Sequence, residues 1–238
     1  MTVYFIACVC LIIFIYIGVP WIYGRFARLS LRAKAVNAKA LVLTFDDGPG
    51  RKLTPGILKI LGTYNVKATF FLLGKNIHRH PHIVRQIAAK GHEIGSHGYD
   101  HLHYWKVSPL RAIKDIKQGY KAINTVLSVN RGRYPFRPPN GKLNIFCLLY
   151  LLLHRVPIFF WSVDLGDTRA CPHRLAGTDV LPSEKTGPAV LLAHDFDRLQ
   201  DTVDIFILES VRQACATARS KGLRVLTCSQ LLNYNGKD

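Results

Sequence analysis

Acidic residues are scarce in this 238-residue chain: 15 Asp and Glu stand against 32 Lys and Arg, a formal net charge of +17. So basic a surface is drawn to anionic lipid head groups or acidic polymers. Nucleic acid is the obvious rival partner, but zinc-finger spacing, a basic zipper and an aromatic-basic RNP motif are all missing, so none is expected. Cysteine is also sparse. Cys8 and Cys10 fall in an apolar run, and Cys147, Cys171, Cys215 and Cys228 are scattered without C-x-x-C spacing. Neither a zinc ribbon nor a disulfide framework is indicated, and buried thiols are the default reading. Nothing repeats at a fixed period, which argues against a solenoid or propeller.

The length suits one domain with an appendage. Residues 3–24 carry no charged side chain, and about 20 apolar residues suffice to cross a bilayer. A cleaved signal peptide is the alternative, but it would want a basic residue near its start and a shorter apolar stretch ending in small residues. A retained anchor is therefore expected, with Tyr16, Trp21 and Tyr23 where interfacial aromatics sit. The expected organisation is an anchor at 1–24, a basic linker at 25–39 and a catalytic domain at 40–238. Arg25, Arg28, Arg32, Lys34 and Lys39 follow the span and no Lys or Arg precedes it, so the flanking charges favour a cytoplasmic domain.

Beyond the linker, short β-branched or aromatic runs bounded by Gly, Pro or Asn predict strands at 40–45, 66–73, 92–96, 156–163, 189–193 and 223–228. Helical spacing of apolar positions predicts helices at 53–63, 81–90, 109–127 and 202–220, with Ser108 and Pro109 as N-cap and first-turn residue of the third. Such alternation implies an α/β fold with a mostly parallel sheet, either a barrel or an open doubly wound sheet. In both, chemistry gathers at the carboxyl ends of strands. Asp46 and Asp47, His97 and His101, Asp164 and Asp167, and His194 all fall there. Residues 145–161 are unusually apolar, helix-like and then strand-like. A buried core helix is one reading of the first half, and contact with lipid beside the anchor is the other.

Two adjacent carboxylates at a strand end are hardly a packing device, because an unpaired buried charge is costly. They need a metal, a cation or water, and Gly48 and Pro49 make a tight turn after them. His97 and His101, four apart, can bring two imidazoles to one metal. His78, His80, His82, His92 and His103 show how easily chance pairs arise, and most are read as surface residues. Asp47, His97 and His101 together would make a three-ligand metal site with open positions.

Five ordered segments carry a resemblance: Thr44-Phe45-Asp46-Asp47-Gly48-Pro49, Gly95-Ser96-His97-Gly98-Tyr99-Asp100-His101, Arg137-Pro138-Pro139-Asn140-Gly141, Trp161-Ser162-Val163-Asp164-Leu165-Gly166-Asp167 and Leu192-Ala193-His194. Over residues 40–230 the chain resembles the polysaccharide deacetylases, the NodB-like carbohydrate esterases. The resemblance implies a distorted (β/α) barrel behind one N-terminal transmembrane helix, and a divalent metal, usually zinc, with cobalt, nickel or manganese as alternatives. It implies Asp47, His97 and His101 as metal ligands, Asp46 as general base held by Arg137, and His194 as general acid tuned by Asp167. Pro138, Asn140, Gly141, Trp161 and Leu192 would line the substrate groove. Three positions depart from the family pattern: Gly98 where Ser or Thr is common, Asn140 where an aromatic is common, and Thr168 where Trp is usual.

Blander roles stand beside these: a scaffold salt bridge for Arg137, turn or capping roles for Asp164 and Asp167, and a satisfied core histidine for His194. The implied activity is deacetylation of an N-acetyl amino sugar in a cell-envelope glycan or its lipid-linked precursor, beside an anionic membrane surface; the flanking charges favour a cytoplasmic catalytic domain, whereas the resemblance implies an extracytoplasmic one. No protein partner is indicated. The alternatives are a deformylase or other amide hydrolase on the same metal site, and a membrane-anchored glycan-binding protein without catalysis.

Overall fold

A computed structural model describes residues 2–129, 134–168, 187–198 and 201–236; Cys171 lies outside them. The chain opens with a helical rod: α1 (Thr2–Ile13), a π-helical turn (Phe14–Gly18) and α2 (Val19–Asn37). Then follow β1 (Ala40–Asp46), α3 (Leu53–Thr63), β2 (Thr69–Leu72), α4 (Gly74–Arg79), α5 (Pro81–Ala89), β3 (Glu93–Ser96) and α6 (Pro109–Leu127). A 3-10 turn at Pro139–Gly141 leads to α7 (Ile145–Leu153), β4 (Val163–Asp164), β5 (Ala189–His194), α8 (Asp201–Ser220), β6 (Arg224–Val225) and α9 (Cys228–Asn233).

All strand pairs are parallel, in the order β3-β2-β1-β5-β4, with β6 also on β1. Two isolated bridges continue past β3, from Ser96 to Phe136 and from Phe136 to Ile158. The segment that begins at Ile158 ends as β4 against β5. The sheet therefore curls back on itself as a distorted barrel, the architecture implied by the resemblance.

Both faces of β1 are covered, so all seven of its residues are buried. The period-2 alternation sends Leu41, Leu43 and Phe45 outward into a core shared with α3, α5, α6 and α8. It sends Ala40 and Val42 inward to meet Phe71, Phe159, Phe160 and Val190. Thr44 and Asp46 continue that inward row. On β5 the inward row ends in Leu192 and His194.

Three expectations change. Residues 156–163 are not one strand: Pro157 has no N–H to donate, though its carbonyl accepts from Phe136 N–H at 2.8 Å, and the segment crosses from Phe136 to β5 as the barrel closes. The sixth strand is only two residues long, because Thr227 and Gln230 form a capping box that starts α9. Residues 25–37, read as linker, are helical, and Leu31 and Ala35, four apart, are buried in the inner core with Leu231 of α9. Ser108 caps α6 as expected, its hydroxyl accepting from Arg111 N–H.

Candidate active site

Asp46 ends β1, and the register pairs it with His194 of β5, so both side chains stand at the same level on the inner face. Arg137 leaves the Phe136 bridge and is fully buried beneath them. Its Nη1 donates to Asp46 Oδ1 at 2.8 Å and to Thr44 Oγ1 at 2.7 Å, and Nη2 donates to Phe160 O at 3.3 Å. The guanidinium lies 4.2 Å from the Phe71 ring centroid. Burial pushes the Asp46 carboxyl above the usual range, while the charge and hydrogen bond of Arg137 oppose it.

Asp47 and His101 both hold left-handed backbone, at φ 71° and 61°, a strain that persists only where the surroundings impose it. Asp47 Oδ1 lies 3.6 Å from His97 Nε2 and 3.5 Å from His101 Nε2. Candidate ligand atoms of these three residues all lie within 4.8 Å of one another. Asp47 Oδ1 is buried without a hydrogen-bond partner, a costly state for a carboxylate oxygen that a cation would relieve. His97 Nδ1 sits 2.8 Å from Arg137 O. Donation to that carbonyl leaves the Nε2 lone pair facing the cluster. Burial lowers the His97 pKa to about 3, which keeps the ring neutral as a ligand must be. The donor set therefore fits a divalent metal.

The loop between the two histidines is braced by a residue the sequence reading missed. Buried Asp115 of α6 accepts from Tyr99 N–H at 3.1 Å, Asp100 N–H at 2.8 Å and Tyr104 OH at 2.8 Å. Gly98, at φ +80°, leaves no room for a side chain, since a Cβ there would strike the Asp115 carboxylate and the Tyr104 hydroxyl. No spacing links residues 98 and 115, so only the fold reveals the contact.

On the other wall, Asp167 Oδ1 lies 2.8 Å from His194 Nδ1, and Asp167 Oδ2 accepts from His194 N–H at 2.9 Å and from Arg198 Nη2 at 3.1 Å. Burial works against the imidazolium. The Asp167 hydrogen bond and charge, with Asp46 and Asp47 behind them, more than reverse it and raise the His194 pKa to about 9. Asp164 instead accepts from Gly166 N–H at 2.8 Å, the blander turn role.

Asp195, next to His194, is a second missed residue. It is fully buried, accepts from Thr54 Oγ1 at 2.6 Å and donates its N–H to Asp46 O at 3.0 Å. A Cβ on Gly48 would collide with its carboxylate, so it supports the turn after Asp47. Burial first, then the Asp46 and Asp47 charges, raise its pKa to about 7.

Of the expected groove residues, Trp161 approaches the centre and Leu192 shares the strand face of His194. Pro138 is buried, while Asn140, at φ 57°, is exposed and Gly141 is half-buried. Leu192 is buried two residues before His194 on the same strand face. Half-buried Trp161 lies 5.9 Å from the Arg137 guanidinium. Arg28 reaches this wall from α2, its guanidinium 5.1 Å from the Trp161 centroid and 4.7 Å from that of Phe160. A cavity of about 350 Å³ opens beside Asp47 and His101, lined by Lys75, Asn76, Arg79, His80 and Phe196 among others. Among the decoy histidines, His92 is not at the surface. It is buried, its Nδ1 accepts from Ala68 N–H at 3.2 Å, and burial lowers its pKa to about 4.

A buried carboxylate on an arginine and an imidazole on a second carboxylate stand with a three-residue cluster able to hold a metal at the strand ends of a parallel barrel. The chain belongs to the polysaccharide deacetylase family, whose model matches residues 33–148. It is 37% identical over 169 residues to a peptidoglycan-N-acetylglucosamine deacetylase of Listeria monocytogenes, a match covering 69% of this chain and 34% of that protein. It thus spans about a third of the Listeria relative's length. It is 31% identical over 202 residues to a peptidoglycan-N-acetylglucosamine deacetylase of Bacillus cereus, covering 83% of this chain and 90% of the relative. A crystal structure of a peptidoglycan N-acetylglucosamine deacetylase superposes with a TM-score of 0.73 at 30% identity, over 82% of this chain and 89% of the other.

Proposed function

We propose that this protein hydrolyses the N-acetyl group of an amino sugar in a cell-envelope glycan, using a divalent metal held by Asp47, His97 and His101. The observation that carries the reading is the placing of Asp46 and His194 at one level on neighbouring strands, each with its own buried partner. A divalent cation in the Asp47–His97–His101 cluster supplies Lewis acidity toward water and the acyl carbonyl. Asp46, ionised through Arg137, takes the proton of the attacking water. His194, protonated at neutral pH, gives its Nε2 proton to the departing sugar amine, and Asp167 keeps the ring oriented. A binding protein would need neither the base nor the acid.

Zinc is the metal we favour, with cobalt, nickel or manganese as substitutes, because two imidazoles and one carboxylate match catalytic zinc chemistry. Residues 3–24 serve as a retained anchor, and the domain begins within α2 rather than after it. Arg28 on the Trp161 wall brings that same helix to the rim of the groove, which favours a glycan near the membrane and makes a lipid-linked amino sugar a natural substrate. The flanking basic residues favour a cytoplasmic site and the habit of the family an extracytoplasmic one.

The test is acetate release by the full-length protein in detergent, on N-acetylglucosamine oligomers and on polyprenyl-linked N-acetyl sugars, with chelator and restored zinc, alongside Asp46→Asn. Release that chelator abolishes, zinc restores and the variant lacks supports the reading, and the better substrate distinguishes polymer from lipid-linked glycan. A folded, metal-loaded protein that releases formate or another acyl group instead would leave the centre standing and remove the acetyl assignment. Glycan binding without any release would overturn the catalytic reading.

A further inference from the structure

Helix α7 is apolar on every side. Its nine residues, Ile145–Leu153, include no charge. Cys147, Leu148 and Leu151 are buried against Tyr104, Ala112, Ile116 and Phe136. The opposite face carries Phe146, Leu149, Leu152 and Leu153, which are 50, 48, 46 and 80% exposed. A helix apolar all round belongs in a protein core or a membrane, and four large apolar side chains together on a surface mark a docking site.

Three observations identify what covers this face. The first is continuity with the N-terminal rod: the Tyr16 ring lies 6.2 Å from that of Phe146, and the π-helical turn packs on α7. The second is depth. Tyr16 sits inside the uncharged run, which continues for eight more residues to Gly24, about 12 Å at a helical rise of 1.5 Å per residue. Within those eight residues Pro20 and Gly24 are buried, Gly24 beside Phe160 of the inner core, so the lipid boundary on this side falls near Tyr16, the level at which α7 touches the rod. The third is charge. Lys117 Nζ lies 5.5 Å from the Tyr150 ring centroid, and Arg155 follows the helix. A groove of about 620 Å³ beside α7 is lined by Lys117, Lys121, Tyr120, Asn124 and Tyr150, which suits an anionic head group.

We infer that α7 lies in the interface of an anionic phospholipid bilayer, its Phe146–Leu149–Leu153 face among the acyl chains and the Lys117–Lys121 groove at the head groups. Together with the rod it forms one membrane seat. Interfacial helices bind through this combination of buried apolar area and attraction to anionic lipid. The depth argument rests on the reading of residues 3–24 as a retained anchor, but the exposed face of α7 stands apart from the deacetylase reading. The seat lies four residues beyond the Pro139–Gly141 turn in sequence, so it holds the groove rim close to the lipid surface.

The test uses the full chain with Cys8, Cys10 and Cys171 replaced by Ala and one new cysteine, at Leu149 or at Thr63 on α3 as reference. Each is labelled with an environment-sensitive dye and reconstituted into phosphatidylcholine–phosphatidylglycerol vesicles containing nitroxide lipid. Quenching several-fold stronger at Leu149→Cys than at Thr63→Cys is expected, weakened when phosphatidylglycerol is left out. Leu153→Cys, at a still more exposed position, repeats the measurement should the first variant misfold. Equal quenching at α7 and α3 would overturn the proposal. A blue-shifted dye at Leu149 without nitroxide quenching would also overturn it, giving the face to a second copy of the chain. Quenching indifferent to phosphatidylglycerol would overturn the part assigned to the lysine groove. None of these outcomes depends on acetate release.

Discussion

The centre holds two carboxylate–cation pairs, on neighbouring strands at the same end of the barrel as the Asp47–His97–His101 cluster, and they are built in opposite senses. In the proposed reaction the β1 side works through its carboxylate, whose state the cation fixes: Asp46 is anchored by the fully buried Arg137, which also ties down Thr44 and the Phe160 carbonyl. The β5 side would work through its cation, whose state the carboxylate fixes: Asp167 holds His194 through both ring and backbone and is itself held by Arg198. Burial acts against the charged form in both, yet one side is proposed as the base and the other as the acid. The difference is which partner is permanently charged. Arginine does not titrate near neutral pH, so the proton affinity left to vary is that of Asp46. On the other wall the variable proton sits on His194.

The largest effect should come from deleting the working group on the β1 side. Asp46→Asn keeps the shape and one hydrogen-bond acceptor for Arg137 but cannot take a proton. Acetate release should fall by about 10²–10⁴-fold, the usual worth of a positioned base, with circular dichroism unchanged and zinc still bound. A residual rate within a few-fold of wild type would transfer the base role elsewhere.

Next in size is the loss of the fixed charge. Arg137→Met leaves Asp46 buried without its cation, and breaking a buried pair this way costs about 3–5 kcal/mol. Thermal melting should drop accordingly. Asp46→Asn combined with Arg137→Met should recover part of that loss, because the uncompensated charge is then gone. A double variant no more stable than Arg137→Met alone would make Arg137 a packing residue rather than a charge partner.

On the β5 side the prediction concerns pH. His194 acts while protonated, so activity should hold below its pKa of about 9 and fall as pH rises through it. Asp167→Asn removes the hydrogen bond and charge that do most to raise the pKa and leaves burial opposed only by the Asp46 and Asp47 charges, so the alkaline limb should move to lower pH. The acidic limb belongs to Asp46, raised above the usual carboxylate range, and should stay in place. Matched shifts of both limbs would mean that the two pairs are not separable.

Much of this arrangement was legible in the chain. Asp46, Asp47, His97, His101 and His194 sit at or directly after strand ends, where a parallel sheet gathers its chemistry, and the strands follow from runs such as 40–45 and 189–193. The order of the motifs carried Arg137 and Asp167. What stayed hidden depends on contacts between residues far apart in sequence. Asp115 looks like any helix-surface carboxylate until α6 is laid against the histidine loop. Arg28 looks like linker charge until α2 crosses the barrel. Barrel closure itself rests on single bridges at Phe136 and Ile158, too short for a periodic signal, and Pro157 hides the second. The six-residue α4 was missed because it holds one fully buried large apolar residue, Ile77, and no repeat.

The smallest predicted effect separates the metal cluster from both flanking pairs. Asp115 touches neither Asp46 nor His194. It receives Tyr99 N–H, Asp100 N–H and Tyr104 OH, and so holds the loop on which His97 and His101 ride. Asp115→Asn replaces one accepting oxygen with a donating amide, setting two donors against each other in a buried site. Outer partners of metal ligands are worth about 10–100-fold in affinity, so zinc retention measured by competitive chelation should weaken within that range. At saturating zinc, both pH limbs should stay where they are, because neither proton-carrying group has lost its partner. A shift of the alkaline limb in this variant would show that the loop also positions His194, and the two sides of the centre would then have to be treated as one coupled unit.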